Sequence, residues 1–297
     1  SISLFKNAIS SLNIDVHKND HSDKNSSEES SKNIIDNKTA DSYVKWFSEL
    51  NKNNISIAGG KGANLGEMFV NKFPVPQGYV VTAQAYEYYL KKSDLNKEIN
   101  RIISELNVDD TADLNEGSKK IRNLIENGKI PLDLKEEILE SYKILSDDNF
   151  GNVNYNINSS ALSILRNSHE PIFVSVRSSA TTEDLADASF AGQQDSFLNV
   201  KGESNLIEHI KRCFSSLYTP RAIFYRKKKG FSKASIAVVV QKMIDSEKSG
   251  VVFSKDPVKL DDSIIIEAVY GLGEGIVSGR INPDSYVVER DLEIKNI

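Results

Sequence analysis

VSVRSSATTEDLADASFAGQQDSFLNV, residues 174–200, decides how the rest of the chain is read. Val174 and Val176 open it and Phe197–Val200 closes it, which predicts two buried strands. Between them stand Arg177, a run of small hydroxyl residues, an acidic patch and a Gly-Gln-Gln turn. Successive strand side chains point to opposite faces, so Val174 and Val176 share one face while Ser175 and Arg177 take the other. Two readings of Arg177 follow. It is a surface arginine paired with Glu183, Asp184 or Asp187, or it is a guanidinium that grips phosphate oxygens two at a time. AGQQDS, 191–196, is equally two-sided. Gly192 permits a tight turn whose amides, with Ser196, can donate to a polyphosphate; the same residues also make an ordinary hairpin.

Other stretches bear on the choice. GGKG, 59–62, precedes a helical pattern at Ala63, Leu65, Met68 and Phe69. Glycines let the backbone approach a ligand closely, and Lys61 beside a helix start suits a phosphate, although the GxxxxGK[ST] spacing of a P-loop is absent. VPQGYVVTAQAY, 75–86, predicts a short strand and a helix capped by Thr82. Helical periodicity runs through Leu95–Leu106, Ile121–Ile125 and Leu134–Tyr142, the last entered by Pro131. Residues 203–218 carry an apolar helical face, and Thr219-Pro220 predicts the cap and first turn of another helix reaching Lys229. IAVVVQKMI, SGVVFS, DSIIIEAV and DSYVVERD then predict strands on short turns, hence an antiparallel or mixed sheet. Gln241 and Met243, at the end of the first of these, read as an adenine-recognising linker, with backbone groups on the base edge and Met243 on its face, or as a core strand leaving the core. EAVYGLGEGIVSG, 267–279, lacks the crossover helix of a dinucleotide fingerprint and reads as a loop or a flexible connection over a ligand.

The chain has 297 residues, 39% apolar, with net charge −5 and mixed signs. That balance argues against nucleic-acid binding, and no apolar run nears the ~18 residues of a membrane span. A single cysteine, Cys213, predicts buried filler and a reducing, cytoplasmic setting. His17 and His21 read as solvated, and His209 as structural or solvated. Residues 1–14 have the pattern of a weak amphipathic helix. KNDHSDKNSSEESSKN, 18–33, has no aliphatic or aromatic residue and predicts disorder. The expected division is a disordered polar extension, 1–41, a helix-rich subdomain, 42–200, and a sheet-rich subdomain, 201–297. The first residue, Ser1, is expected to mark a processed chain or a fragment.

GGKGANLGEM, VPQGYVVT, the 174–200 stretch, SLYTPRAIFYR, VVVQKMI, SGVVFS and EAVYGLGEGIVSGRINPDSYVV occur together and in order. As a set, over about residues 43–290, they resemble the nucleotide-binding domain of the phosphoenolpyruvate synthases, within the wider family of phosphoenolpyruvate-utilising enzymes. The resemblance implies an α+β, ATP-grasp-like fold with ATP held between two subdomains. It implies Lys61 and Arg177 on ATP phosphates, Gly192–Ser196 as the phosphate-covering turn, and Gln241 with Met243 in the adenine linker. ATP and Mg2+ are the implied cofactors. The implied partners are a swivelling phosphohistidine domain and a pyruvate-binding domain, for neither of which this chain has a counterpart. The family's final carboxylate and Gln-x-Arg strand also have none here, which leaves the magnesium ligands unassigned and predicts a portion of a larger enzyme. The nucleotide-binding domain of a rifampicin phosphotransferase, which shares RSSAT and SFAGQQD, is the alternative, as is an inactive ATP-binding fragment.

Overall fold

A computed structural model describes residues 42–147, 170–181, 195–230 and 234–289, and the backbone of 294–296. The extension 1–41, with His17 and His21, lies outside the described residues, as do His169, Gly192 and the acidic Glu183, Asp184 and Asp187. In chain order the strands are β1 (Val44–Trp46), β2 (Gly78–Val81), β3 (Phe173–Ala180), β4 (Ser196–Lys201), β5 (Ile236–Lys242), β6 (Lys248–Phe253), β7 (Ile264–Tyr270), β8 (Asp284–Val288) and β9 (Ile294–Asn296). The helices are α1 (Ile55–Val70), α2 (Ala83–Lys92), α3 (Leu95–Glu105), α4 (Thr111–Asn127), α5 (Leu132–Leu145), α6 (Glu203–Ser215), α7 (Pro220–Lys229) and the single turn α8 (Glu274–Val277).

The local signals act as their chemistry requires. The Thr82 hydroxyl accepts from the Ala85 amide at the start of α2, and Thr219 caps α7 through Ala222, with Pro220 in the first turn, where a missing N–H costs nothing. Gly230 closes α7 in the left-handed conformation.

The strands form two antiparallel sheets. The first has the order β1-β2-β5-β3-β4 and the second β6-β7-β8-β9. β5, Ile236–Lys242, is the middle strand of the first sheet: its backbone pairs with β2 on one edge and β3 on the other, and its valines are buried on both faces. Sheet membership therefore changes between Lys242 and Lys248, not at residue 200, and α6 and α7 belong with the first sheet. One face of that sheet, with Tyr79, Val81, Val174, Val176, Val238 and Val240, is covered by α2–α7 in one continuous core. The opposite face, with Val80, Ala237 and Val239, meets Phe47, Leu50 and Ala58 in a smaller core under α1.

Candidate nucleotide site

The α1 side of the first sheet gathers the polar residues singled out in the sequence. α1 is two helical pieces joined at Gly59, whose φ is +67° and ψ 173°. Glycine is required there twice over: the φ is left-handed, and a Cβ would stand 2.2 Å from the carbonyl oxygen of Ser179. This break starts a new helical segment at the GGKG stretch, so its positive end and Lys61 lie in the same turn.

Ser179 of β3 bolts that turn to the sheet. It is buried, its hydroxyl donates to the Ala58 carbonyl (2.8 Å), and its oxygen accepts from the Gly62 amide (3.2 Å). Arg177 lies two residues back on the same strand face, roughly 7 Å along the strand. It is half-buried and pairs across the ladders with Val239 of β5 on one side and with the exposed Ser196 of β4 on the other. Cross-strand partners share a face, so Arg177 and Ser196 stand side by side, next to the turn that carries Lys61. A helix start, a lysine and an arginine are brought to neighbouring positions on one side of the sheet, residue types that suit a polyanion.

Two residues further along β3, Ser175 pairs with Gln241. Gln241 is buried, and its amide nitrogen donates to the Pro76 carbonyl at 3.0 Å, which ties the entry to β2 onto β5. The Lys242 amide donates to the Gln77 carbonyl (2.9 Å) and the Met243 amide to the Phe173 carbonyl (3.0 Å). Those two donors are thus committed to the sheet, and a base held at this linker is read by other groups. Met243 itself is half-buried. From Ser179 to the level of Gln241 is four residues of strand, roughly 13 Å, a separation suited to a nucleotide rather than to a lone phosphate.

The remaining candidates are structural. His209 hydrogen-bonds the Asn205 carbonyl through Nδ1 (2.7 Å) and sets its ring edge against Phe197. Cys213 is fully buried, and burial pushes its thiol well above the usual range, so it stays neutral filler. Ser179 had not been picked out from the sequence. The signal was the strand alternation that puts it on Arg177's face; what it touches depends on where α1 docks. Among the described residues no cluster of three or more His, Cys, Asp or Glu side chains gathers to hold a metal, and no helix is long and apolar enough to cross a membrane.

A helix break pinned to an antiparallel sheet beside a lysine and an arginine is compatible with a nucleotide-binding class of domain, and the family match shows that class. The chain belongs to the family described as "Pyruvate phosphate dikinase, AMP/ATP-binding domain", which matches residues 55–296, and its α+β fold is ATP-grasp-like. It is 46% identical over 267 residues to a probable phosphoenolpyruvate synthase of Methanocaldococcus jannaschii, covering 88% of this chain and 21% of that protein. It is 42% identical over 283 residues to the phosphoenolpyruvate synthase of Pyrococcus furiosus, covering 84% of this chain and 32% of that protein. The phosphoenolpyruvate synthase of Aquifex aeolicus is 45% identical over 254 residues, covering 82% and 28%. The chain thus spans about a fifth to a third of the length of these curated relatives.

Proposed function

We propose that this chain is the ATP-binding portion of a phosphoenolpyruvate synthase. In that reading ATP transfers a pyrophosphoryl group to a histidine of a swivelling domain, releasing AMP. Water then takes the terminal phosphate, and the phosphate left on the histidine passes to pyruvate, giving phosphoenolpyruvate. Lys61 and Arg177 hold ATP phosphate oxygens and neutralise negative charge as the phosphorus–oxygen bond breaks. Gly192 and Ser196 close over the phosphates, and Gln241 with Met243 borders the adenine. The division into two subdomains is drawn between the two sheets, after Lys242.

Magnesium fits this reading as an ion brought in with the nucleotide. The described face offers serine hydroxyls and two cations but no cluster of carboxylates, so phosphate oxygens and water would supply most of its ligands.

The observation that carries the proposal is the Ser179 bolt, which holds the Lys61 turn against the strand bearing Arg177. The test is calorimetric titration of the 297-residue chain with ATP, with and without Mg2+. Lys61→Ala and Arg177→Ala should each weaken binding by about ten- to a hundredfold, the worth of a charge-assisted contact. Undiminished affinity in both variants, with the fold intact, would sink the assignment.

A further inference from the structure

The face of β4 opposite Ser196 is held by a set of charges that the nucleotide reading does not use. Side-chain alternation turns Asp195 and Phe197 toward the helices when Ser196 faces Arg177. The Asp195 carboxylate lies 3.7 Å from the guanidinium of Arg122 on α4, a charge contact rather than a hydrogen bond. Arg122 is itself fixed by Glu126 at 3.7 Å and by the Ser215 hydroxyl of α6, which its Nε reaches at 3.4 Å. Ser215 in turn hydrogen-bonds Glu126 at 2.6 Å. One residue beyond Ser196, the Arg212 guanidinium of α6 sits 4.4 Å over the Phe197 ring. From the other side, the Asp195 carbonyl accepts both the amide and the hydroxyl of Ser178, each at 3.1 Å, and Ser178 directly follows Arg177. Asp195 is therefore gripped by its carboxylate from α4 and by its carbonyl from the strand that bears Arg177.

We infer that Arg122 is a positioning residue for nucleotide binding: by holding Asp195 from the helix side, it sets where Ser196 stands opposite Arg177, without touching the ligand. The inference rests on the nucleotide reading above and adds to it a contact on the far side of the sheet. Burial holds the Asp195 carboxyl above its usual range, with Arg122 and Arg212 pulling the other way.

The test compares ATP with adenosine on the full chain, by calorimetry, for wild type, Arg122→Ala, Asp195→Ala and the double variant. Each single change should weaken ATP by about fivefold, the upper range for a partly exposed ion pair. The double variant should be no weaker than the worse single one, because the two residues act as a unit. Adenosine affinity should not change, since only the phosphate end is misplaced, and Arg122→Lys should restore most of the ATP affinity. Arg122→Gln replaces the alanine variant if that one does not fold. Equal losses for ATP and adenosine would mean general loosening and overturn the inference. So would unchanged ATP binding in both single variants while Arg177→Ala loses it. If Arg177→Ala binds ATP like wild type, the phosphate-face reading fails first, and the inference falls with it.

Discussion

The two sheets use similar sequences under opposite conditions. β5 (IAVVVQK) is sealed between two layers, and its residues Ile236–Val240 are essentially inaccessible. β7 (IIIEAVY) is as rich in branched apolar residues, and β6 (KSGVVF) carries a Val-Val-Phe run, yet among the described residues of the second sheet only Ile266 and Val288 are buried, and Val252 is 61% exposed. β6 is also an edge strand, paired on one side only. Hydrophobicity read along the chain is thus matched between β5 and β7, while the covering differs. Apolar burial contributes stability in proportion to area removed from water, so the stability of the described unit is concentrated in the first sheet and its helices.

Matched pairs of variants can break that contrast. The largest effect is expected from Phe214→Ala, which empties a fully buried position between Tyr86 and Tyr89 and should cost about 4 kcal/mol in denaturant unfolding. Phe253→Ala in β6, at 37% exposure, should cost about 1 kcal/mol or less. Equal costs would show that the second sheet is as well covered as the first. Next comes Gly59→Ala, which meets both a left-handed φ and the Ser179 carbonyl and should lose about 3 kcal/mol. Gly271→Ala has a similar φ, +77°, with nothing near the added Cβ, so only the strain of about 1 kcal/mol remains. If thermal melts place the two together, α1 does not dock tightly on β3.

The smallest effect sharpens the picture at Asp195. Its carboxyl is held above 3.8, first by burial, with Arg122 and Arg212 pulling the other way. The unfolded chain therefore loses this proton first. The stabilisation from this group is present below the unfolded pKa and lost as pH rises through the higher folded value. Asp195→Asn should flatten the fall in melting temperature by a degree or so as pH rises from the ordinary carboxylate range through the higher folded value. An unchanged slope would mean that the carboxyl is effectively solvated.

Much of the fold was legible because its signals are local. Helix periods, the Thr82 and Thr219 caps and the apolar strand runs each depend on neighbours in sequence, and those from Val44 to Val288 reappear where they were expected among the described residues. The change of sheet after β5 was not legible. β5 follows two helices and precedes four strands, so nothing nearby shows that it pairs with β2 and β3, which lie more than fifty residues upstream. The candidate site divides in the same way. Strand alternation put Ser175 and Arg177 on one face, but the Ser179 bolt, the Pro76 carbonyl on Gln241 and the Arg122 grip on Asp195 link residues of distant elements, up to 165 positions apart.

Chain chemistry alone was enough for most of the elements, their caps and the residue types a phosphate needs, because each follows from backbone sterics or from one side chain's functional groups. Which strand became central, which face α1 covered, which donors at Lys242 and Met243 were already engaged, and which charges stood behind Ser196 were settled on folding. Those outcomes depend on contacts between distant segments, whose energies are set by mutual burial and geometry and leave no mark on any short stretch of sequence.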